Sequence, residues 1–436
     1  MLESLHLRNV GPAPELGMDL APRLNLITGD NGLGKSFLLD VAWYALTRRW
    51  PHDVNPSLTS GYAARPTDVR KPATIRFALQ TKAGTPVVYE SKYVPRDEAW
   101  LGRAGRPWNP GLVVYAHADG GFSVWDPARN FWKTRGGVDV QERLPAYVFS
   151  AKDVWDGLVM QIEGRATVVC NGLIRDWASW IRERGQAAEQ MADVLCTLAP
   201  PGDTLSVGPL TRLSLEDARD IPSIQTAYSP SVPIVYASSG VRRIVGLAYM
   251  LIWSWNEHVL AAERIGEKST PQVVMLVDEI ESHLHPRWQR SILKSLLQAA
   301  LSLHAQARVQ LITATHSPLI LAAAEPTFES RQDAWFDLDL EQAGDEARVV
   351  LQRKKFVPLG DVSNWLTSEA FDLAEPRSAE SERALEAAKF LLRRNVLPTL
   401  EEVRRVEHAL VEAGIPDIDP FWVRWGQFLR KAGLQE

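Results

Sequence analysis

The stretch Gly29-Asp30-Asn31-Gly32-Leu33-Gly34-Lys35-Ser36 constrains this chain more than any other. It matches G-x-x-x-x-G-K-[ST], the pattern of a phosphate-binding loop. Glycines let the backbone turn tightly, so that successive N–H groups point at phosphate oxygens. Lys35 is placed to reach β- and γ-phosphates, and the Ser36 hydroxyl to ligate Mg²⁺. The context fits the pattern. Leu24 to Thr28 is a short apolar strand before the loop, and Phe37 to Leu46 reads as a helix with a broad apolar face. That helix would turn its positive N-terminal end to the same anion, so Phe37 belongs with the nucleotide-contacting stretch.

With 436 residues, the chain is long enough for two or three domains. A net charge of −5 gives no global basic footprint for nucleic acid, which leaves only a local patch for DNA. Cys170 and Cys196 are too few and too far apart for a zinc site and read as two reduced, buried thiols. Met1 to Leu7 lacks the basic and apolar regions of a signal peptide. Ile244 to Trp255, the longest apolar run, is too short to span a bilayer. These features place the chain in the cytoplasm, without a membrane partner. The tryptophans are scattered and read as core or interface anchors.

In chain order, residues 1–28 read as two strands around the breaker Gly11-Pro12-Ala13-Pro14. Residues 47–72 read as loop. Residues 73–79 and 87–94 flank the turn Lys82-Ala83-Gly84-Thr85, and residues 111–116 and 122–125 flank Asp119-Gly120-Gly121. Together they predict an antiparallel sheet interrupting a nucleotide-binding core. Residues 165–200 read as helix, without a heptad pattern, and residues 200–232 as a Pro-, Ser- and Thr-rich connection. Residues 333–353 form a hairpin about Ala343-Gly344-Asp345. Short helices follow at 378–394 and 399–413.

Four further motifs succeed the phosphate loop. Ala237-Ser238-Ser239-Gly240-Val241-Arg242-Arg243 leads into a helix, where a serine–glycine turn is either a second anion site or an ordinary cap. Val273 to Val277 is a buried parallel strand delivering Asp278 and Glu279 at its carboxyl end. Asp278 suits a Mg²⁺ shell and Glu279 suits the polarisation of an attacking water. Glu281-Ser282-His283-Leu284-His285-Pro286 lacks the spacing of a zinc helix and reads as structural or interfacial. Leu311 to Thr315 is another buried strand, ending at His316, which could donate a hydrogen bond to a γ-phosphate.

The set GDNGLGKS, SSGVRR, VMLVDEIESHLHP and TATHSP resembles the ABC-type ATPases of the SMC, RecF and OLD-like group, found in bacterial repair and anti-phage proteins. The resemblance covers roughly residues 1–345. It implies an α/β P-loop NTPase fold: an ABC-type head with an antiparallel β-lobe and a helical insert at about 165–230, followed by a mainly helical module over 346–436. It implies an ATPase using ATP and Mg²⁺, with Lys35 and Ser36 on phosphate and metal, Asp278 on metal, Glu279 as base and His316 as switch histidine. Ser238, Ser239 and Gly240 would act in trans, across a homodimer or higher even oligomer that sandwiches two ATPs. The loop Glu281 to Pro286 resembles the one that crosses such an interface. The signature departs from the group by reading Ser-Ser-Gly-Val rather than Ser-Gly-Gly-Gln. The Mg²⁺-sensing glutamine has no clear position, Gln161 being one candidate.

The output implied is a protein effector or DNA in repair or phage defence, with Arg242, Arg243, Arg287 and Arg290 as a candidate positive edge. The alternatives are a nucleotide-gated scaffold for a partner nuclease with slow turnover, and an OLD-like ATPase with its own nuclease. Asp337-Leu338-Asp339 is the D-x-D that such a nuclease would use. Both aspartates are expected on one solvated strand face, and the chain after Asp345 is short for a nuclease domain.

Overall fold

The computed structural model describes residues 1–433 except 81–84, 103–107, 142, 144, 163, 305, 344–345 and 395. Residues 82–84 of the first expected turn, and Gly344 and Asp345 of the last, therefore lie outside the described residues. The chain divides into two compact units, Met1–Gly360 and Asp361–Glu436.

The first unit opens with three strands rather than two: β1 (Leu2–Val10), β2 (Ala13–Asp19) and β3 (Leu24–Gly29). The turn is only Gly11-Pro12. Pro14 lies inside β2, where the missing N–H is tolerated because β2 is an edge strand. Helix α1 (Lys35–Thr47) leaves the phosphate loop, and the stretch expected as loop contains one helical turn, α2 (Pro51–Val54). Strands β4 (Thr74–Gln80), β5 (Pro86–Val94) and β6 (Ala99–Leu101) complete an antiparallel sheet of order β2-β1-β4-β5-β6.

The second expected hairpin is β7 (Leu112–Ala116) and β8 (Phe122–Trp125). It does not join that antiparallel lobe, because β7 is apolar throughout and pairs in parallel within the main sheet. A small hairpin, β9 (Trp132–Arg135) with β10 (Val138–Gln141), precedes β11 (Ala146–Phe149), the far edge of the main sheet.

The insert is more mixed than expected. Helix α3 (Ala151–Asp156) leads to β12 (Leu158–Ile162) and β13 (Arg165–Cys170), an antiparallel hairpin where helix was expected from residue 165. The helical spacing of Trp177, Trp180 and Ile181 belongs to the helix that follows and does not extend back to residue 165. Helices α4 (Leu173–Glu183) and α5 (Gln186–Leu198) follow. The supposed connection forms a three-stranded sheet of β14 (Ser206–Val207), β15 (Ser223–Thr226) and β16 (Ser229–Pro233). Gln161 stands exposed on β12, paired with Ala166. Cys170 is buried, but Cys196 is exposed, contrary to expectation.

The remaining elements of the unit are α6 (Ser239–Arg264), β17 (Gln272–Val277), α7 (Pro286–Ser302), β18 (Arg308–Ala314), α8 (Pro318–Ala324), β19 (Asp333–Ala343) and β20 (Glu346–Lys354). Among the described residues the main sheet has the order β11-β8-β7-β17-β18-β3-β19-β20. Residues 346–354, expected in the C-terminal module, are therefore the last strand of the head sheet. The strands β7, β17, β18, β3 and β19 run parallel, so their carboxyl ends share one edge. Helix α1 packs against β1, β3, β17 and β18, burying Leu38, Leu39, Val41 and Trp43 between the two sheets. Among the described residues, no helix is long and apolar enough to cross a membrane.

The Asp361–Glu436 unit is α9 (Val362–Leu366), α10 (Ala379–Arg393), α11 (Leu400–Glu412) and α12 (Pro420–Lys431), with a small core of Leu385, Ala388, Leu391, Val403, Leu410, Trp425 and Leu429. Ser378 and Thr399 cap α10 and α11. Trp365 and Trp425 are buried, the core-packing role expected of them.

Asp337 is not on a solvated face. It is 1% exposed, opposite Thr28 in the parallel pairing of β19 with β3, and it accepts the Thr28 hydroxyl at 2.6 Å. That hydroxyl in turn accepts the Trp335 indole N–H at 2.8 Å. Asp337 thus braces the last residue before the phosphate loop, and only Asp339 is partly exposed. Replacing Asp337 by Ala leaves the buried Thr28 hydroxyl only the long 3.4 Å contact to Phe336 O in place of its 2.6 Å bond. Denaturant unfolding is expected to show a loss of about 1–3 kcal/mol. An unchanged unfolding midpoint would contradict the brace.

Candidate functional site

The phosphate loop leaves the carboxyl end of β3 in a conformation open mainly to glycine. Gly29 has φ +133°, and a Cβ there would stand 2.2 Å from the Leu338 carbonyl oxygen. Gly32 and Gly34 also have positive φ, and Gly34 caps α1. Lys35 begins the helix, and its ammonium folds back to donate to the carbonyls of Gly29 (2.7 Å) and Asp30 (2.8 Å). Burial pulls the Lys35 pKa down, while Asp30, Asp278, Glu281 and Glu279 oppose that shift. The charge therefore sits at the centre of the loop, on carbonyls that phosphate oxygens could replace. Asp30 and Asn31 are exposed, and Leu33 is partly buried. Phe37 does not face the loop: its ring lies against Gly11, occupying the space of a Cβ there, so only its backbone can serve a phosphate.

Next to β3 in the sheet, β18 is followed by Thr315, whose N–H donates to Ile27 O at 3.0 Å, and then by His316. His316 is partly exposed, and its pKa is pulled down by burial and then by the Lys35 charge. At neutral pH its ring is therefore mainly uncharged, with one N–H to donate. One strand further, β17 is followed by Asp278, whose N–H continues the pairing with β7 by donating to Ala116 O. Asp278 is 4% exposed. Burial pushes its pKa up, and the Ser36 hydroxyl and Arg243 counter the shift. Its Oδ1 has no hydrogen-bond partner. Glu279 follows at φ +46°, turning the chain sharply off the strand.

Glu281 is the feature that sequence reasoning missed as a member of the site. Its carboxylate accepts the Thr315 hydroxyl (2.8 Å) and the His316 N–H (2.5 Å). His285 caps α7 by accepting Arg287 N–H, and among the described residues no group of three or more His, Cys, Asp or Glu side chains is placed to hold a metal.

Ser238 caps α6, its Oγ accepting the Val241 N–H at 3.4 Å. Ser238 and Ser239 are exposed. Gly240 packs on the loop after Glu279, where a Cβ would lie 2.6 Å from His283 O. Arg243 donates to the carbonyls of His117 (2.7 Å) and Asp278 (3.3 Å), tying the start of α6 to the end of β17. It is therefore not part of a positive outer edge. Arg242, Arg287 and Arg290 are exposed, and Arg287 pairs with Asp203.

The chemistry of the donor set can be tested for a divalent cation. A hard cation of Mg²⁺ type takes carboxylate and hydroxyl oxygens. The Ser36 hydroxyl is near enough to the Asp278 carboxylate to favour its charged form, and Asp278 offers a buried oxygen with no partner. The residues fit Mg²⁺.

Residues 225–322 match the family described as "AAA domain, putative AbiEii toxin, Type IV TA system". That stretch holds the α6 turn, the Asp278–Glu279 pair and His316. The chain is also similar in structure to an SMC head bound to the C-winged helix domain of ScpA (14% identity, 81% of this chain and 98% of that one, TM-score 0.41). It is similar to an SMC head domain from Thermotoga maritima (15%, 81% and 99%, 0.39). A third similar structure is the recombination mediator RecF with a nucleotide analogue, ATPrS (13%, 81% and 98%, 0.39). The Met1–Gly360 unit is a mixed α/β fold in which the phosphate loop leaves a central strand of the parallel part of the main sheet.

Asp40, on α1, accepts the Tyr115 hydroxyl at 3.0 Å. Burial pushes its carboxyl up to about 7 from 3.8; the Asp278 charge adds, while the Tyr115 and Gly61 bonds oppose. A folded pKa above the unfolded one means that folding favours the protonated acid. Asp40 therefore costs stability increasingly as pH rises from about 4 to about 7, and by a constant amount above. Asp40→Asn removes this cost. The melting temperature of the variant relative to the wild type is expected to rise between about pH 5 and about pH 8. A difference independent of pH would contradict the assignment.

Proposed function

We propose that the head binds ATP with Mg²⁺, pairs with a second head around two nucleotides, hydrolyses them and separates. The observation that carries this reading is the unpartnered, buried Asp278 Oδ1 near the Ser36 hydroxyl, with the charges of Lys35 and Glu279 close enough to act on the same carboxylate. Backbone N–H groups of Asp30 to Ser36 cradle the β-phosphate, and Lys35 exchanges its two carbonyl partners for phosphate oxygens. Ser36 and Asp278 would hold Mg²⁺, which when bound neutralises charge on the phosphates. The surroundings make that neutralisation necessary, because Asp30, Asp278, Glu279 and Glu281 all act on the single Lys35 ammonium. A triphosphate entering among them without a cation meets repulsion.

Glu279 accepts a proton from the attacking water. His316, uncharged, donates its ring N–H to the γ-phosphate as charge builds there. Ser238, Ser239 and Gly240 serve the nucleotide of the opposite head. Their exposure, and the packing of Gly240 on His283 rather than on the phosphate loop, support a role in trans. Opening and closing of the pair then switches a partner, either a protein effector or DNA reached through Arg242 and Arg290. A place in repair or phage defence follows from the resemblance of the motif set and rests on that analogy alone. A nucleotide-gated scaffold with slow turnover shares every binding contact and differs only at Glu279. The buried brace role of Asp337 argues against a nuclease built on Asp337 and Asp339.

Steady-state hydrolysis separates motor from scaffold. Glu279→Gln is expected to lower kcat about 10²–10⁴-fold while retaining ATP affinity. Lys35→Ala is expected to lose nucleotide binding, and chelation of Mg²⁺ to stop turnover. A Glu279→Gln rate equal to the wild type would overturn hydrolysis at this site. A wild type that binds ATP without turnover would favour the scaffold.

A further inference from the structure

Glu281 lies three residues beyond the metal-facing Asp278, on the loop that turns away from β17. Its two carboxylate oxygens are used separately. Oε2 accepts the Thr315 hydroxyl at 2.8 Å, and Oε1 accepts the His316 backbone N–H at 2.5 Å. The Thr315 hydroxyl also accepts the Ser317 N–H at 3.1 Å. A second tie lies on the far side of the histidine. Gln289 on α7 donates to Leu284 O (2.9 Å) and accepts the Ser317 hydroxyl (2.7 Å). Both ties start from the chain after Glu279 and grip the peptide on either side of His316.

A partly buried third carboxylate beside Asp278 and Glu279 is costly unless its oxygens are satisfied. Here both are satisfied by donors that belong to the His316 turn. Neither bond reaches the imidazole. The carboxylate fixes where the His316 backbone starts, and so where its ring can point.

We infer that Glu281 is a positioning residue for His316, setting the rate of turnover rather than the affinity for nucleotide. The inference deepens the proposed function and rests on its reading of His316 as a donor to the γ-phosphate. Glu281→Gln keeps size and one acceptor, but it turns an amide N–H₂ toward one of two donors. The Thr315 hydroxyl must then reorient, although it already accepts from Ser317.

The test is a double-mutant cycle on ATP hydrolysis with the full chain: wild type, Glu281→Gln, His316→Ala and the double variant. ATP binding is measured alongside with a fluorescent ATP analogue and Mg²⁺. Glu281→Gln is expected to lower kcat about tenfold, since small misplacements at a reacting centre are costly. Its nucleotide Kd is expected to stay within about twofold, because uniform binding is untouched. The double variant is expected to be no slower than His316→Ala. Thr315→Val, which removes one of the two donors without touching Glu281, is expected to lower kcat in the same direction and guards against misfolding of Glu281→Gln. Losses that multiply in the double variant, or a Glu281→Gln effect confined to Kd, would overturn the positioning role while leaving the ATPase reading intact. A His316→Ala rate equal to the wild type would overturn the histidine assignment, and this inference with it.

Discussion

Five parallel strands in the order β7-β17-β18-β3-β19 hold everything else in place. Parallel pairing aligns carboxyl ends, so residues far apart in sequence meet on one edge of the sheet. The phosphate loop leaves β3, His316 leaves β18, Asp278 and Glu279 leave β17, and the His117 carbonyl that anchors Arg243 follows β7. The register is held outside the site as well. Gln310 on β18 exchanges hydrogen bonds with Leu2 of β1, and Asn25 on β3 folds back on Ala21. These buried amides are fully engaged, so sliding β18 against β3 would cost several bonds at once.

Charge at that edge is arranged around a deficit. One ammonium, Lys35, faces an excess of carboxylates, and the nearest guanidinium, Arg243, is spent on backbone carbonyls. Asp278 and Glu281 both have raised pKa values although each has hydrogen-bond donors, because burial outweighs the bonds they accept, and neighbouring carboxylates add to it. Burial likewise raises Asp40, further along α1, with a smaller addition from the Asp278 charge. A site built this way is incomplete without cations, and its preference for a metal-bound polyphosphate over a bare anion follows from electrostatics alone.

Much of the head was legible because its signals are local. Glycine spacing specified the loop, and unbroken apolar runs specified β17 and β18 with the polar residues that end them. What escaped was non-local. The partner of Glu281 lies some thirty residues away, and nothing in either segment announces the bond. The turn Asp119-Gly120-Gly121 identified the β7–β8 hairpin but could not say which of two sheets it joins. Alternation misled at Asp337, because a polar residue on a strand covered by its neighbours can be buried when a hydroxyl awaits it. Pro14 was read as a terminator when an edge strand can carry it. Arg243 was taken for surface charge because helix starts are usually wet.

The central claim is that nucleotide joins two heads through Ser238 and Gly240. The most direct measurement is the solution mass of Glu279→Gln with and without ATP and Mg²⁺, beside the same measurement on Glu279→Gln carrying Lys35→Ala. The account predicts a mass that doubles with ATP and Mg²⁺ in the first and not in the second. A mass that nucleotide leaves unchanged in both would contradict the ATP-driven pairing, and with it the role in trans of the α6 turn.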